Sequence, residues 1–495
     1  EAGVFGHASL RKRDASPFNP YLTPSIIESI IMDFESSVVN YSMTLTSVPR
    51  YDRTQIPDIG EKAIVVGASM AGLLTARVLA DGFRKVTIIE RDSLSDNPTP
   101  RRGVPQGRHI HTLLKAGRVT LEDLFPGYGE SLLAAGGVQI DMMSDVLHYQ
   151  NGDFLADGSS PLPAYYATRP LFEQIVQRQI RNTEGVELRT GYHCIDYIVN
   201  DETTAVQGIK TKHDGGKQAE LRADLIVDAT GRTSKTPAWL EDHGYQKPPL
   251  DEVEIDVAYS TVFGARPSDD RRALMVDPTS SQMRGVGAFP VENEQWILTY
   301  FGIGQHKPPA DSETLLEFSA NLPGPDPIEL LDTQPRFSDG VDYYPFFSNR
   351  RNRYEELDRF PDGLVVIGDA ISSFNPIYGQ GMSVAALEAL LLHHTLATGE
   401  LDDLALRFFD GIEKIVNIAW SMAVGADSQY SQTTGPEPRG TVFFKWYLDR
   451  LASKAQTDGA LREAFYRVYN MEKNPLTLLS PRIIWQVLKP DFLRY

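Results

Sequence analysis

The 495-residue sequence predicts an α/β fold, α+β overall, in which a parallel-sheet domain is joined to an antiparallel-sheet domain and a C-terminal helical segment. Three observations predict it. Residues 63–92 run from an apolar strand through a Gly-rich turn and a helix into a second strand, which is a βαβ unit. Residues 254–265 and 284–303 alternate as antiparallel strands do. Residues 364–396 again place a short apolar strand and a loop before a long apolar helix.

The first unit reads "AIVVGASMAGLLTARVLADGFRKVTIIERD", and its turn covers residues 67–72. Such a turn lets backbone N–H groups at a helix N-terminus approach a pyrophosphate. Glu90, at the end of the second strand, stands where an acidic side chain binds a ribose hydroxyl. Ser69 replaces the middle glycine of the Gly-x-Gly-x-x-Gly pattern. The turn therefore indicates a dinucleotide site, and an ordinary strand-turn-helix-strand unit is the alternative.

Composition excludes several classes of function. A net charge of -18 argues against binding nucleic acid, because neutralising phosphates needs a basic surface. No run approaches the roughly 18 apolar residues of a membrane span, and the single cysteine, Cys194, excludes an internal disulfide. We therefore expect a soluble, cytoplasmic protein. Residues 1–42 are polar without a period and predict a disordered extension, with a targeting segment as the alternative.

A basic loop, "RRGVPQGRH", follows the second strand. Its arginines, Arg101, Arg102 and Arg108, can return toward phosphates bound at the turn, or they form a solvated loop. His109 and His111 alternate as metal ligands can. We predict no metal site, because no carboxylate or cysteine cluster lies nearby in sequence to complete one.

Two later motifs also place a turn or loop directly after an apolar strand. "ADLIVDATGRTS" is a β-rich run that ends on a tight turn at Gly231. "GDAISSFNPIYGQG" begins where a buried strand ends, so Asp369 falls at the strand end, where parallel sheets bind ligands. Gly379 and Gly381 then put free N–H groups at the N-terminus of the helix beginning near Met382, which favours an anion.

Together the three ordered motifs resemble the flavoprotein monooxygenases of the para-hydroxybenzoate hydroxylase type, and more narrowly the bacterial and archaeal branch that includes polyene epoxidases. The resemblance covers about residues 60–400 and implies a Rossmann-like FAD-binding domain. The segments expected are a discontinuous FAD-binding domain at 60–140, 166–250 and 346–400, a substrate domain at 141–165 and 251–345, and a C-terminal helical region at 401–495.

The resemblance also implies which residues contact FAD. In the first motif these are Gly67, Ala68, Ser69, Met70, Ala71, Gly72, Glu90 and Arg91, and further along Arg102, Gln106, Arg169, Gly231, Gly368 and Asp369. The residues expected to line the flavin are Pro376, Gly379, Gly381 and Met382. Thr230 stands where the family usually has an aspartate, although Gly231 and Ser234 remain. The electron donor, whether NADPH, NADH or a separate reductase, therefore stays open.

The implied reaction inserts one oxygen atom into a substrate by hydroxylation or epoxidation. Reduced FAD would react with molecular oxygen to give a C4a-hydroperoxide, whose distal oxygen is transferred. We expect an apolar, isoprenoid or polyene substrate, since the antiparallel block has no basic cluster for a carboxylate. The expected pocket walls, with ordinary sheet packing as the alternative for each, are Tyr259, Phe289, Trp296, Tyr300 and Phe301.

Two alternatives remain at the level of the sequence. A prenyl reductase of the geranylgeranyl reductase type shares the fold and reduces double bonds without oxygen. A flavin-binding module without turnover is the second. Tryptophan-type halogenases share the FAD half, but their Trp-x-Trp-x-Ile-Pro signature is absent. The aromatic-rich C-terminal helices are expected to cover the substrate domain, with a peripheral membrane or dimer contact as the alternative.

Overall fold

The fold is described from a computed structural model. The structure describes residues 44–279, 281–336, 340–430, 432–435 and 441–489. The extension expected at residues 1–42 lies outside them. The strands are, in chain order, β1 (Gly60–Val66), β2 (Phe83–Glu90), β3 (Val138–Asp141), β4 (Val146–Gln150), β5 (Asp153–Phe154), β6 (Pro163–Tyr166), β7 (Val186–Thr190), β8 (Tyr192–Val199), β9 (Val206–His213), β10 (Gln218–Arg222), β11 (Leu225–Asp228), β12 (Leu250–Ala265), β13 (Ala273–Val276), β14 (Arg284–Val291), β15 (Gln295–Ile303), β16 (Pro335–Arg336), β17 (Asp342–Asn352), β18 (Leu364–Val366) and β19 (Ser372–Ser373).

The α-helices alternate with these strands in the first half of the chain and follow them at its end. They are α1 (Met70–Leu79), α2 (Lys115–Leu124), α3 (Tyr128–Ala134), α4 (Arg169–Arg181), α5 (Thr236–Asp242), α6 (Ser312–Ala320), α7 (Pro327–Leu330), α8 (Gly381–Leu396), α9 (Leu404–Asp427), α10 (Thr441–Ala455), α11 (Gly459–Tyr469) and α12 (Pro481–Leu488). Within the described ranges, none of them is both long enough and apolar enough to cross a bilayer.

A five-stranded parallel sheet carries the first predicted unit, in the order β18-β11-β1-β2-β7. Its central strands are apolar because both faces are covered, and helices α1, α8 and α9 together with strands β8 and β9 contribute to this core. The register pairs Val66 with Asp228, and Asp228 with Val366. Since the strands are parallel, the loops that follow them all leave from the same edge. The three sequence motifs therefore meet at one end of the sheet.

A larger, mainly antiparallel sheet follows the order β19-β17-β12-β15-β14-β13-β4-β5, with β16 on β12. Side chains alternate between its faces. Ile297 points to the face that packs on the C-terminal helices through Tyr447 and Leu451. Trp296, its neighbour, points to the other face and packs against Phe318 of α6. The C-terminal helices therefore cover one face of this sheet, as the sequence predicts.

One predicted boundary is wrong in detail. Strand β17 pairs with β12 from Asp342 to Asn352, so the antiparallel sheet continues past the boundary expected between residues 345 and 346. Hydrogen bonding to a neighbouring strand decides where a strand ends, and this cannot be seen in the sequence of β17 alone. Two small sheets complete the architecture, β10-β9-β8 and β3-β6.

Candidate functional site

The Gly-rich turn after β1 is shaped by two obligatory glycines. Gly67 has a φ of +110°, and a Cβ there would lie 2.4 Å from the carbonyl oxygen of Ala229. A Cβ on Gly72 would lie 2.0 Å from the carbonyl oxygen of Gly67. Both positions exclude any side chain, because backbone atoms occupy the space. These are the first and third glycines of the motif, so the turn has the tight geometry expected of it.

The N-terminus of α1 faces out of this turn. The first helical hydrogen bond runs from Leu73 N to Ser69 O at 3.0 Å, so the N–H groups of Met70, Ala71 and Gly72 precede it. Such groups have no partner within a helix and attract an anion. Ser69, at the position of the middle glycine, makes no capping hydrogen bond to the helix. Its hydroxyl leaves the N–H groups of the helix terminus free for a ligand.

Glu90 is buried at the end of β2 and holds the turn in place. Its carboxylate accepts hydrogen bonds from Ala68 N at 2.8 Å and from Asp92 N at 2.9 Å. The sequence predicts a ribose contact for Glu90, and the structure places its carboxylate directly beside the turn. Glu90 thus fixes the backbone of the turn from the neighbouring strand.

A buried cluster of two arginines and a glutamate flanks the turn. Glu173 Oε1 accepts from Arg101 Nη2 at 2.7 Å, and Glu173 Oε2 accepts from Arg169 Nη2 at 3.0 Å. Ser69 joins the cluster, accepting from Arg169 Nη2 at 2.9 Å and donating to Glu173 at 3.2 Å. Burial by itself would lower the pKa of Arg101, but Glu173 and Glu90 raise it above its usual value. Arg101 is therefore a cation held beside the helix N-terminus.

Sequence reasoning missed Glu173, although a signal existed. Arg169 and Glu173 are four residues apart on α4, the spacing at which opposite charges meet on a helix. Of the three loop arginines that the sequence places near the turn, Arg101 is the one that binds it, through Ala68 O at 3.1 Å. Arg102 is exposed and lines the neighbouring cleft. Only the three-dimensional path of the loop distinguishes these adjacent arginines.

A polar cleft of about 670 Å³ opens beside this cluster. Its walls include Arg91, Arg102, Arg169 and Glu173. The Nε atom of Arg169 is buried without a hydrogen-bond partner, so this guanidinium still has a donor for a ligand. Gln106 is half-buried in a short 3-10 turn outside the walls of the cleft, and Arg108 pairs with Asp342 at the surface.

The third motif contacts the first directly. Gly368 has a φ of +71°, and a Cβ there would lie 2.7 Å from the Cβ of Ala71. Gly231 of the second motif, with a φ of +76°, would place a Cβ 3.8 Å from the Cβ of Asp369. Loops about 300 residues apart in sequence thus touch at the sheet edge, as the shared register of β1, β11 and β18 requires.

Two acidic groups lie at this junction. Asp369 is exposed to solvent, but the protein around it desolvates the carboxyl and raises its pKa. Arg169 and Arg232 act in the opposite direction. Glu388 of α8 is fully buried and accepts a hydrogen bond from Gly368 N at 2.6 Å. Burial raises the pKa of Glu388 to about 8. Near pH 7 Glu388 is therefore protonated and adds no negative charge to the junction.

The second motif has Thr230 where an aspartate is expected, and an aspartate, Asp228, stands two residues earlier. Asp228 accepts hydrogen bonds from Thr230 N at 2.9 Å and from the hydroxyls of Ser234 and Thr236 at 2.6 Å each. The carboxylate of this motif is therefore buried and satisfied within its own turn. Arg232, which sequence reasoning did not single out, donates to Ser348 O at 2.6 Å and so links the two sheets.

The third motif continues into a loop at residues 375–381, which we call the Pro-Gly loop. Pro376 opens a short 3-10 turn, and Gly379 follows with a φ of +62°. A Cβ built on Gly381 meets nothing within 4 Å. The first hydrogen bonds of α8 are made by Ser383 N and Val384 N, so the N–H groups of Gly381 and Met382 have no helical partner. A second helix N-terminus thus faces open space.

An apolar cavity of about 290 Å³ lies next to the Pro-Gly loop. It lies between the antiparallel sheet and helices α9, α10 and α11, and three loop residues form part of its wall: Ile377, Tyr378 and Gln380. Most of the remaining wall is aliphatic, methionine or aromatic, including Met142, Leu155, Met275, Ile418, Met422, Leu451 and Phe465. The shape and lining are those of a small-molecule pocket.

The expected substrate walls divide by sheet face. Tyr259 and Phe301 pack in the cluster that Ile377 of the Pro-Gly loop joins, and Phe289 stacks on Tyr166 on the face toward the C-terminal helices. All five are strand residues, as predicted, and none of them lines the apolar cavity. Trp296 and Tyr300 are fully buried on the opposite face, in the cluster that includes α6. The alternation of β15 shows that they share a face, and only the packing shows which face that is.

The structure shows the hydrogen-bond partners of the two histidines in the basic loop. His109 Nδ1 lies 2.7 Å from Thr261 Oγ1, and burial lowers the pKa of His109 to about 4. His111 Nδ1 lies 3.0 Å from the carbonyl oxygen of His109, and burial lowers its pKa to about 3. Each therefore stays neutral near pH 7. In the described part of the chain no group of three or more His, Cys, Asp or Glu side chains is arranged to hold a metal ion.

Comparison with known proteins agrees with this geometry. A family described as "FAD binding domain" matches residues 61–401. Protein Rv3254 of Mycobacterium tuberculosis is 31% identical over 431 residues, covering 83% of this chain and 90% of that protein. Kynurenine 3-monooxygenase of Salinispora tropica is 26% identical, covering 72% and 76%. Squalene epoxidase ERG1 of Saccharomyces cerevisiae is 23% identical, covering 69% and 70%.

Solved structures share the fold. The flavin-dependent brominase Bmp2 superposes with a TM-score of 0.59 at 17% identity, over 83% of this chain and 93% of that one. p-Nitrophenol 4-monooxygenase PnpA of Pseudomonas putida gives 0.58 at 18% identity, over 84% and 99%. The chain belongs to the FAD-binding domain family and is a flavin-dependent oxidoreductase that binds FAD. The free N–H groups, the unpaired Nε of Arg169 and the open space at Gly381 fit this cofactor.

Proposed function

We propose that this FAD-binding protein is a monooxygenase that inserts one atom of molecular oxygen into an apolar substrate, by hydroxylation or epoxidation. The family match supports the FAD-dependent part of the proposal, and the monooxygenases among the relatives support oxygen transfer. The observation that carries it is the position of the apolar cavity. Its wall includes Ile377, Tyr378 and Gln380, residues of the same Pro-Gly loop that would face the flavin.

The two helix N-termini would hold opposite ends of the cofactor. The pyrophosphate would accept hydrogen bonds from the N–H groups of Met70 and Ala71, with Arg169 beside it. The N–H groups of Gly381 and Met382 would face the pyrimidine edge of the isoalloxazine ring. When bound, FAD supplies the redox chemistry that activates oxygen. The donors at Gly381 and Met382 would stabilise negative charge on that ring edge, because they are fixed before any charge develops.

The cavity would hold the reacting carbon in a dry environment. Met275 and Met422 lie on opposite elements of its wall, β13 and α9, and methionine adapts to irregular apolar surfaces. Polar groups also stand in this wall, among them Asp277, Lys445, Asp449 and Arg462. His148 Nδ1 lies 2.9 Å from Tyr466 Oη, and His148 Nε2 lies 3.1 Å from Asp277 Oδ2. A substrate with an apolar body and hydrogen-bonding groups fits these walls, which favours isoprenoid or polyene compounds carrying oxygen.

Much of this wall comes from α9, α10 and α11, outside the region that matches the family. We infer that the C-terminal helices determine which substrate is accepted. Trp485 of α12 is 65% exposed, and it gives the outer surface of these helices one contact for a membrane or partner. Such a contact would suit the delivery of a lipophilic substrate.

The test combines cofactor reduction with oxygen consumption. Purified protein loaded with FAD should lose its visible flavin absorbance anaerobically on addition of NADPH, NADH or a flavin reductase. It should then consume oxygen in proportion to product when isoprenoid alkenes and alkylated aromatic compounds are screened. A product reduced at a double bond without oxygen uptake would instead identify a prenyl reductase. Flavin absorbance unchanged by every donor would identify a binding module without turnover.

A matched pair of variants tests the cavity. Met422→Trp should fill it and raise KM or abolish turnover, while the protein still binds FAD. Leu316→Trp is the control, because Leu316 is 43% exposed on α6, beyond the opposite face of the sheet. Equal turnover in Met422→Trp and Leu316→Trp would show that substrate binds elsewhere.

A further inference from the structure

A buried carboxylate stands behind the Pro-Gly loop. Asp427 is the last residue of α9 and is fully buried. It accepts three hydrogen bonds: from Asn349 Nδ2 at 2.7 Å, from Asn375 Nδ2 at 2.9 Å and from Tyr378 Oη at 2.7 Å. Two of these donors belong to the Pro-Gly loop, and the third belongs to β17. Asp427 therefore connects the loop, the antiparallel sheet and α9 at one point.

The orientation of both amides is fixed by backbone donors. Asn349 Oδ1 accepts from Asn375 N at 2.6 Å, and Asn375 Oδ1 accepts from Ile377 N at 3.3 Å and from the hydroxyl of Tyr259. The amide oxygens are thereby committed, so each NH2 group must point at Asp427. An ionised carboxylate accepts from all three donors and adds no donor of its own. A proton on Asp427 would place one more donor among them, and a buried donor without an acceptor is costly.

The helix that carries Asp427 also forms a wall of the cavity. Ile418, Met422 and Tyr430 lie along α9 and just beyond it, and all three line the cavity. On the loop side, Gly379 and Gly381 follow the residues that Asp427 holds. The position of the N–H groups at Gly381 and Met382 therefore depends on the hydrogen bonds at Asn375 and Tyr378.

We propose that Asp427 is a positioning residue for the flavin, which fixes the Pro-Gly loop so that the N–H groups of Gly381 and Met382 meet the ring. This inference rests on the proposed function, because that function places the isoalloxazine at the loop. Asp427 does not touch the cofactor in this arrangement. It acts through Asn375 and Tyr378.

The same geometry makes the loop sensitive to pH. Burial raises the pKa of Asp427 to about 6, although Tyr378, Asn349 and Asn375 act in the opposite direction. The titratable groups that face it are Tyr259, Tyr378 and Tyr430, and burial raises each phenol pKa above its usual value, so they stay neutral. Among the described ion pairs none involves Asp427. As pH falls through about 6, the carboxylate is protonated, which puts a fourth donor among the other three and weakens the hydrogen bonds that hold the loop.

The test compares Asp427→Asn with Asp410→Asn in the full chain. Asp410 lies on the same helix, and its side chain is 84% exposed, so the control removes the same charge without touching the loop. Two readouts apply: the Kd for FAD between pH 5.5 and 8, and the midpoint potential of the bound flavin. Losing a buried hydrogen bond to a charged group corresponds to about tenfold or more in Kd.

We expect FAD binding by wild-type protein and Asp410→Asn to weaken as pH falls through about 6. Asp427→Asn should bind FAD about tenfold more weakly at pH 8, with little dependence on pH and a more negative midpoint potential. Tyr378→Phe removes one donor and keeps the carboxylate, so it should show a smaller loss and keep the pH dependence, even if Asp427→Asn fails to fold. An Asp427→Asn or Tyr378→Phe protein with wild-type affinity and potential would overturn the proposal. Wild-type protein that binds no FAD would overturn the proposed function instead.

Discussion

Gly368 and Ala71 offer a direct test of whether the first and third motifs meet. Replacing Gly368 by alanine imposes a side chain on a φ of +71°, which costs about 1–2 kcal/mol. It also places the new Cβ 2.7 Å from the Cβ of Ala71, and such overpacking costs about 1–3 kcal/mol. Gly368→Ala should therefore lower the free energy of unfolding by about 2–5 kcal/mol and weaken FAD binding.

A second substitution separates the two costs. Ala71→Gly in the same chain removes the atom that the new Cβ meets. The double variant should therefore regain the stability lost to overpacking, about 1–3 kcal/mol, and keep the loss caused by the backbone conformation. Gly216→Ala is the control, since Gly216 has a φ of +86° and nothing within 4 Å of its Cβ position. That variant should lose only about 1–2 kcal/mol.

The assay is urea unfolding of wild type, both single variants and the double variant, combined as a double-mutant cycle. We expect a favourable coupling energy of about 1–3 kcal/mol between positions 71 and 368. A coupling below about 0.5 kcal/mol, within the range of independent sites, would refute the contact and with it the convergence of the two motifs.

Two further predictions follow from the acidic groups of the site. The pKa of Glu388 in the folded state is about 8, above its ordinary value. The contribution of Glu388 to the free energy of unfolding is therefore complete below about pH 4.5 and is lost as pH rises through about 8. The free energy of unfolding of wild type, measured against Glu388→Gln, should thus fall by up to about 1.4 kcal/mol per pH unit, and parallel curves would contradict this. Glu173→Gln leaves Arg101 and Arg169 buried with less countercharge and should cost about 3–5 kcal/mol. The exposed control Glu187→Gln, which loses a surface pair with Lys85, should cost about 0–1 kcal/mol. Similar losses of stability in both variants would show that the buried cluster stabilises the fold no more than a surface ion pair does.

The strand ends could be predicted from the sequence because they depend on local patterns. A short apolar strand followed at once by glycine identified Gly67, and the same logic identified Glu90 and Asp369. Parallel strands in one sheet then require these residues to lie at one edge. The contact between Gly368 and Ala71 follows from that requirement.

Residues whose role depends on packing could not be predicted. Asp427 lies at the end of a helix more than 40 residues beyond the Pro-Gly loop, and nothing in its surroundings in sequence indicates a buried carboxylate. Trp296 and Tyr300 are candidate pocket walls by their place in the antiparallel block, with ordinary sheet packing as the alternative, and strand alternation does not show what packs on their face. Arg101 and Arg102 are adjacent and chemically identical, so only the path of their loop decides which one is buried.

The most direct measurement is a crystal structure of the protein with FAD bound. We expect the pyrophosphate at the N-terminus of α1 beside Arg169, the isoalloxazine ring against Gly381 and Met382, and the ring open to the cavity that Ile377 and Met422 line. A flavin bound away from the Pro-Gly loop, or with its ring separated from that cavity, would contradict this expectation.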